Sequence, residues 1–125
     1  MVRSIQARPG ASLVELELDR FGFDHTTLGA CVAERWNLPE AVVAAIRYHH
    51  APRYHGVHAP TVACVELANV LVTAKGIPSV GAPLGPLSPS VVEHLGVGRE
   101  DVRRLVDQMN QQILDHGRLF ALTAA

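Results

Sequence analysis

Signals that start and stop α-helices recur along the whole chain, and no convincing pair of β-strands lies between them. The first signal is a capping-box pattern, Ser12 followed three residues later by Glu15, in which each side chain satisfies a free backbone amide at a helix start. Residues 16–19 alternate like a strand, but the cap and the stop signal at Gly22 favour a helix. The chain is therefore predicted to be all-α.

Five further helices are predicted from the same kinds of signal. They cover about residues 25–36, 37–52 with Asn37 as the cap, 60–76, 88–96 and 99–113. Glycines and prolines are too dense between Gly76 and Leu87 for regular structure, so a loop is predicted there. The expected architecture is a compact bundle of about five or six helices over residues 12–125, preceded by a flexible tail over residues 1–11.

Two of these helices have patterns that predict how they pack. The second helix has residues at helical spacing, namely Leu28, Cys31, Val32, Arg35 and Trp36. Gly29 in the same helix would let another helix approach closely. The helix that opens at Pro60 is apolar over much of its circumference, which predicts a central and largely buried helix.

The composition excludes several classes of protein. A length of 125 residues with 48% apolar residues is enough for one domain with a buried core. Eleven Lys and Arg against twelve Asp and Glu argue against a nucleic-acid-binding protein, which needs a concentrated basic surface. The two cysteines, Cys31 and Cys64, are expected to be buried reduced thiols. Because no secretory signal or membrane span is visible, we expect a cytoplasmic protein with no membrane partner.

Histidine is the residue type with the most chemical potential, since the chain has seven and imidazole is a common metal ligand. His25 starts the second helix, and His49 and His50 are adjacent near the end of the third, where they point about 100° apart. Asn69 lies on an apolar stretch of the fourth helix, where a buried amide needs a partner such as histidine. Each also has a structural interpretation, as a cap, a helix-end residue or a hydrogen bonder. The other four histidines, which are interpreted as loop or surface residues without a role, are His55, His58, His94 and His116.

Four motifs, in their order and spacing, resemble the HDOD family over about residues 12–116. They are FGFDHTTLGA at 21–30, WNLP at 36–39, AIRYHHAP at 45–52 and ELANVL at 66–71. HDOD domains are HD-related output domains of bacterial signalling proteins and are relatives of the HD-GYP phosphodiesterases and HD phosphohydrolases. The resemblance implies an HD-domain-like helical fold and a regulatory role in signal transduction.

The chain departs from the catalytic relatives at the residues that would hold metal. In those relatives a His-Asp pair, a His matching His25, a His pair matching His49 and His50, and an Asp matching Asn69 hold metals that activate water against a phosphoester. This chain has no His-Asp dipeptide, no Gly-Tyr-Pro motif after His50, and an amide at position 69. We therefore expect no catalytic, cofactor-binding or metal-binding residues, and we assign the four matching positions to a vestigial site.

The leading hypothesis is a non-catalytic HDOD-type signalling module that acts through contacts with protein partners of a signalling pathway. Two alternatives remain: a metal-dependent phosphohydrolase or cyclic-dinucleotide phosphodiesterase completed by another chain, and a sensor that binds a small ligand in the histidine pocket. The chain resembles the carboxyl-terminal half of the family's domain, as a natural short version or as a fragment. We therefore expect uncovered apolar faces and a homo-oligomer. The residues expected on those faces are Leu13, Leu16, Val43, Ile46, Val65 and Val72.

Overall fold

A computed structural model of the chain describes residues 11–51, 53–77 and 87–117. Over these residues it contains helices and no strand, which confirms the all-α prediction. The helices are α1 (Leu13–Phe21), α2 (His25–Arg35), α3 (Glu40–Tyr48), α4 (Ala59–Ala74), α5 (Pro89–Leu95) and α6 (Arg99–Asp115). The tail predicted over residues 1–11, apart from its last residue, and most of the loop predicted after Gly76 lie outside the described residues.

The predicted boundaries of α1 are confirmed. The Ser12 hydroxyl accepts a hydrogen bond from the Glu15 amide at 3.2 Å, and the Glu15 carboxylate accepts one from the Ser12 amide at 2.8 Å. Gly22 ends the helix in the left-handed region with φ of 77°, a conformation that costs glycine least.

Asp24 caps α2 and thereby fixes the residue that follows, His25. Its carboxylate accepts hydrogen bonds from the amides of Thr26 and Thr27 at 2.8 and 2.9 Å. The Thr26 hydroxyl and then the Thr27 amide hold the pKa of Asp24 below its ordinary value of 3.8, because they stabilise the ionised carboxylate.

The predicted start and end of α3 are wrong. Asn37 does not cap the helix; it adopts the left-handed conformation with φ of 53° in the turn after α2, and Pro39 occupies the capping position. Asparagine tolerates that conformation better than most side chains. The helix ends at Tyr48, several residues before Pro52. His49 and His50 belong to the turn that follows.

Small side chains form the face of α2 that is buried in the protein. The buried residues are Thr26, Ala30 and Ala33. A Cβ atom on Gly29 would lie 2.9 Å from Cγ2 of Ile46 in α3, so the predicted close approach of another helix is confirmed. The larger apolar residues at helical spacing face outward. Those exposed residues are Leu28, Cys31, Val32 and Trp36.

The buried residues of α4 lie on one side of the helix, so the prediction of a largely buried helix holds for that side alone. Its buried residues are Ala59, Val62, Ala63, Glu66 and Leu67. α4 packs between α3 and α5, while Val65 and Asn69 lie on its exposed side. The polar residues at positions 66 and 69 are therefore on different faces, and only Glu66 reaches the interior.

Both cysteines are free, as predicted, but both are exposed, so the prediction of buried thiols is wrong. Cys31 belongs to the outward face of α2, and Cys64 precedes the buried Glu66 by two positions. In α2 the smaller side chains meet the neighbouring helices, which helical spacing alone does not reveal.

The chain divides into two compact units, residues 1–95 and residues 96–125. The first contains α1 to α5, in which α2 packs on α1 and α3, and α4 packs on α3 and α5. The second contains α6, none of whose residues is buried. Among the described residues, no helix has the length and apolar character that crossing a membrane requires.

Candidate functional site

Three of the four sequence-predicted site residues come together where α2 begins and α3 ends. One nitrogen from each of His25, His49 and His50 lies within 4.8 Å of the others. The ring centroid of His25 is 5.5 Å from that of His49 and 5.1 Å from that of His50, and the adjacent pair is 4.3 Å apart. His25 is the first residue of α2, and His49 is the capping residue at the end of α3. The positions of these rings are therefore determined by where α2 begins and where α3 ends.

The partner of His25 is Glu17, a buried carboxylate in α1. One carboxylate oxygen accepts hydrogen bonds from the His25 amide at 2.9 Å and from its Nδ1 at 2.6 Å. The Glu17 side chain is only 10% exposed, so solvent competes little for these bonds. Because a carboxylate only accepts, the proton lies on Nδ1, and the lone pair of Nε2 points away from Glu17.

Backbone carbonyls orient His49 in the same way. Its Nδ1 lies 3.0 Å from the Ala45 carbonyl oxygen and 2.8 Å from that of Ile46. Since both partners are acceptors, Nδ1 carries the proton here too, which leaves Nε2 as the basic nitrogen. Two of the three rings in the cluster therefore have their tautomer fixed by partners outside it.

The third ring, His50, is held in its neutral form. Burial lowers its pKa to about 4, and the neighbouring rings of His49 and His25 lower it in the same direction. The negative charges of Glu17 and Glu66 act in the opposite direction without reversing the shift. At neutral pH the His50 ring is therefore uncharged, although the residue as a whole is exposed.

Asn69, the fourth predicted residue, lies on the exposed side of α4. The interpretation of Asn69 as a buried partner of a histidine is wrong. Glu17 takes that role instead, and a signal for it exists in the sequence. Position 17 follows Leu13 by four residues and Leu16 by one, so a charged residue stands on the inward side of an amphipathic helix.

The residues present do not fit the metal centre that the resemblance to HD hydrolases implies. The orientation of His25 by a carboxylate and of His49 by carbonyls is typical of metal-ligating histidines. However, the cluster consists of three imidazoles, and its nearest carboxylate, on Glu17, is already bonded to His25. Three neutral ligands supply none of the negative charge that hard divalent cations require.

An apolar stripe lies along the exposed side of α2. Leu28, Val32 and Trp36 follow one another at intervals of four residues, which places them on one helix face. Their exposures are 51%, 38% and 71%. Exposed apolar residues grouped on one face are a feature of binding surfaces, whereas single scattered ones are not.

Comparisons with known proteins bear on the family and the fold of this chain. The family model described as HDOD domain matches residues 1–52. A crystal structure of a candidate signal transduction protein from Marinobacter aquaeolei VT8 has the same fold, with a TM-score of 0.67 and 26% identity over 78% of this chain and 21% of that one. An uncharacterized protein of Treponema pallidum (strain Nichols) is 41% identical over 49 residues, which are 38% of this chain and 10% of the relative. The chain thus spans about a tenth to a fifth of the length of these relatives.

Proposed function

We propose that this chain is a non-catalytic signalling module of the cytoplasm. It is a member of the HDOD family by its match over residues 1–52 and by the fold it shares with the Marinobacter protein. It acts through protein–protein contacts. The observation that carries the proposal is the exposed stripe of Leu28, Val32 and Trp36 on α2. Tryptophan is among the residue types most enriched at the centres of protein interfaces, and Trp36 is the most exposed residue of the stripe.

The chemistry of the histidine cluster supports the non-catalytic part of the proposal. The HD-type hydrolases that this chain resembles attack a phosphoester with water activated by bound metal ions. His25, His49 and His50 bring no carboxylate to this set, and Glu17 acts as a hydrogen-bond acceptor for one ring. The cluster then holds the start of α2 against the end of α3, and so supports the helix that carries the stripe.

The experiment is light scattering on the full chain and on two matched variants. The wild-type protein is expected to exceed its monomer mass of 13.5 kDa at micromolar concentration, because a second copy is the simplest partner for an exposed apolar stripe. Val32→Glu should return it to a monomer. Val65→Glu is the control, since Val65 is also 38% exposed but lies on α4.

Three outcomes would contradict the proposal. The first is a wild-type monomer that binds no hydrophobic dye. The second is loss of self-association in Val65→Glu but not in Val32→Glu, which would move the interface to α4. The third is phosphodiesterase activity of the purified chain that is lost in a His25→Ala variant.

The orientation of the His25 and His49 rings favours one second candidate, a metal-dependent phosphohydrolase whose acidic ligands come from another chain. Elemental analysis separates it from the first. The chain purified without added metal is expected to carry well under one equivalent of iron, manganese or zinc. A full equivalent that disappears in His25→Ala or His49→Ala would establish the second candidate.

A further inference from the structure

A second cluster of ligating side chains lies between the loop after α3 and the end of α5. It consists of His55, Glu93 and His94, whose ligating atoms lie within 4.8 Å of one another. The two imidazole rings are 5.6 Å apart, centroid to centroid, and are nearly perpendicular at 61°. Unlike the first cluster, this one includes a carboxylate among its own members.

The loop holds His55 in place through its neighbours on both sides. The ring of Tyr54 stacks on that of Tyr48 in α3, with centroids 4.4 Å apart and planes 16° from parallel. A Cβ atom on Gly56 would overlap the Tyr54 phenol, so the chain can turn this tightly only at glycine. His55 therefore stands between two residues whose positions are fixed by packing.

The other half of the cluster is fixed by a buried hydrogen-bond network. The Glu66 carboxylate in α4 accepts bonds from the amide and the hydroxyl of Ser88, both at 2.9 Å. The Ser88 hydroxyl is also 2.7 Å from that of Ser90. This network ties the start of α5 to α4, and the short helix then presents Glu93 and His94 towards the loop.

One ring nitrogen of His94 lacks a hydrogen-bond partner among the described residues. Its Nε2 is closed off from solvent, and within the described residues it meets no hydrogen-bond partner. Buried polar atoms in folded proteins are nearly always bonded, and the exceptions point to an ion or a water that completes the site. Glu93 and His55 are exposed, so an ion has a path to this position.

We propose that His55, Glu93 and His94 bind one divalent transition-metal ion of the zinc class and so clamp the loop after α3 to α5. Two imidazoles and a carboxylate are a ligand set that zinc prefers, with a fourth tetrahedral position open to water. Zinc bonds of about 2.0–2.1 Å require the three ligating atoms to lie closer together than the 4.8 Å within which they now lie. The exposed side chains of His55 and Glu93 can move by this small distance. Such an exposed site is filled by added zinc and emptied by a chelator.

The test is calorimetric titration of the full, chelator-treated chain with zinc chloride. One zinc ion per chain is expected, and His55→Ala and Glu93→Gln should each weaken binding by about tenfold or more. His55 is exposed and lies in a loop, so its replacement leaves the helices intact. Two controls should bind as the wild type does: His116→Ala, an exposed histidine after α6, and the double variant His25→Ala, His49→Ala in the first cluster.

Thermal melts provide a second measurement on the same proteins. Saturating zinc should raise the melting temperature of the wild type and of both controls, because an ion that binds only the folded state stabilises it. It should not raise that of His55→Ala. Absence of zinc binding, unchanged binding in His55→Ala, or loss of binding in the double variant of the first cluster would each overturn the proposal. None of these results depends on whether the stripe on α2 binds a protein.

Discussion

The two histidine clusters of this chain differ in where their carboxylates stand. In the first, Glu17 lies outside the set of three rings and accepts hydrogen bonds from His25. In the second, Glu93 is itself one of the three groups whose ligating atoms converge. A carboxylate behind an imidazole orients the ring, whereas one beside it supplies negative charge to a cation. The motif-bearing cluster is therefore the one less suited to a hard divalent cation.

Glu66 connects the two clusters. Its negative charge acts on His50 in the first, and its carboxylate holds Ser88 at the base of the helix that carries the second. Because this carboxylate is buried, its hydrogen bonds are stronger than they would be in water, and leaving their donors without an acceptor is costly. Its replacement is therefore expected to disturb the second cluster most, because Ser88 lies at the base of α5.

The largest effect is expected for Glu66→Ala. We expect a loss of about 2–4 kcal/mol of unfolding free energy, since two buried donors of Ser88 lose a charged acceptor. Zinc affinity at the second cluster should fall with it, because α5 loses its anchor. Urea denaturation gives the stability. Ser90→Ala, which removes one hydroxyl of the network, is the control and should cost about 1 kcal/mol. Equal stability of Glu66→Ala and the wild type would show that the network holds nothing in place.

The next effect is expected for Glu17→Ala, at about 1–3 kcal/mol, because the His25 amide and Nδ1 lose their common acceptor. The first cluster should loosen while zinc binding at the second is unchanged. The matched control is Glu34→Ala, which breaks an exposed ion pair with Arg47 and should cost about 0–1 kcal/mol. If both variants lose the same stability by urea denaturation, Glu17 has no special role in the first cluster.

Sequence patterns predicted the helices well, because their ends are determined locally. The capping box of Ser12 and Glu15 and the stop at Gly22 depend only on neighbouring residues. The helix α3 differs from its prediction at both ends. At its start, the error at Asn37 has a local explanation, since asparagine serves both as a cap and in left-handed turns.

The site was predicted only in part, because its partners come from distant segments. His25, His49 and His50 were found through motifs. Glu17 and His25, which bond to each other, are eight positions apart in the chain. Glu66 and Ser88 are 22 positions apart and meet only because α4 packs on α5. The buried face of α4 determines whether Glu66 or Asn69 lies in the interior. An almost wholly apolar helix carries little periodic signal from which to predict that face.

The pH dependence of stability tests the first cluster alone. The pKa of His50 is lowered from 6.5 to about 4, so between these values the unfolded chain binds a proton that the folded chain does not. Stability should therefore fall as pH falls from 6.5 towards 4, by a modest amount because solvent screens this exposed residue. Asp24, whose pKa lies below 3.8, acts only at lower pH.

Urea denaturation of the wild type and of His50→Gln, with a chelator present, measures this dependence. Between neutral pH and about pH 5, the variant should show a shallower loss of stability than the wild type. His55→Gln, which alters the second cluster, is the control and should keep the wild-type slope. An identical slope in all three proteins would mean that the pKa of His50 is the same in the folded and the unfolded chain.

The smallest effect is expected for Asn69→Leu, the position that the resemblance matches to a metal-binding aspartate. Had Asn69 been a buried partner of a histidine, the change would cost about 1–3 kcal/mol, because it would leave that partner unbonded. On the exposed side of α4 it should change the unfolding free energy by less than about 0.5 kcal/mol, and leucine's better helix propensity favours a slight gain. Thermal and urea denaturation beside Glu17→Ala provide the comparison. A loss as large as that of Glu17→Ala would place Asn69 in the first cluster, with its side chain turned inward. Near-neutrality would mean that the first cluster is held by Glu17 and backbone carbonyls without help from α4.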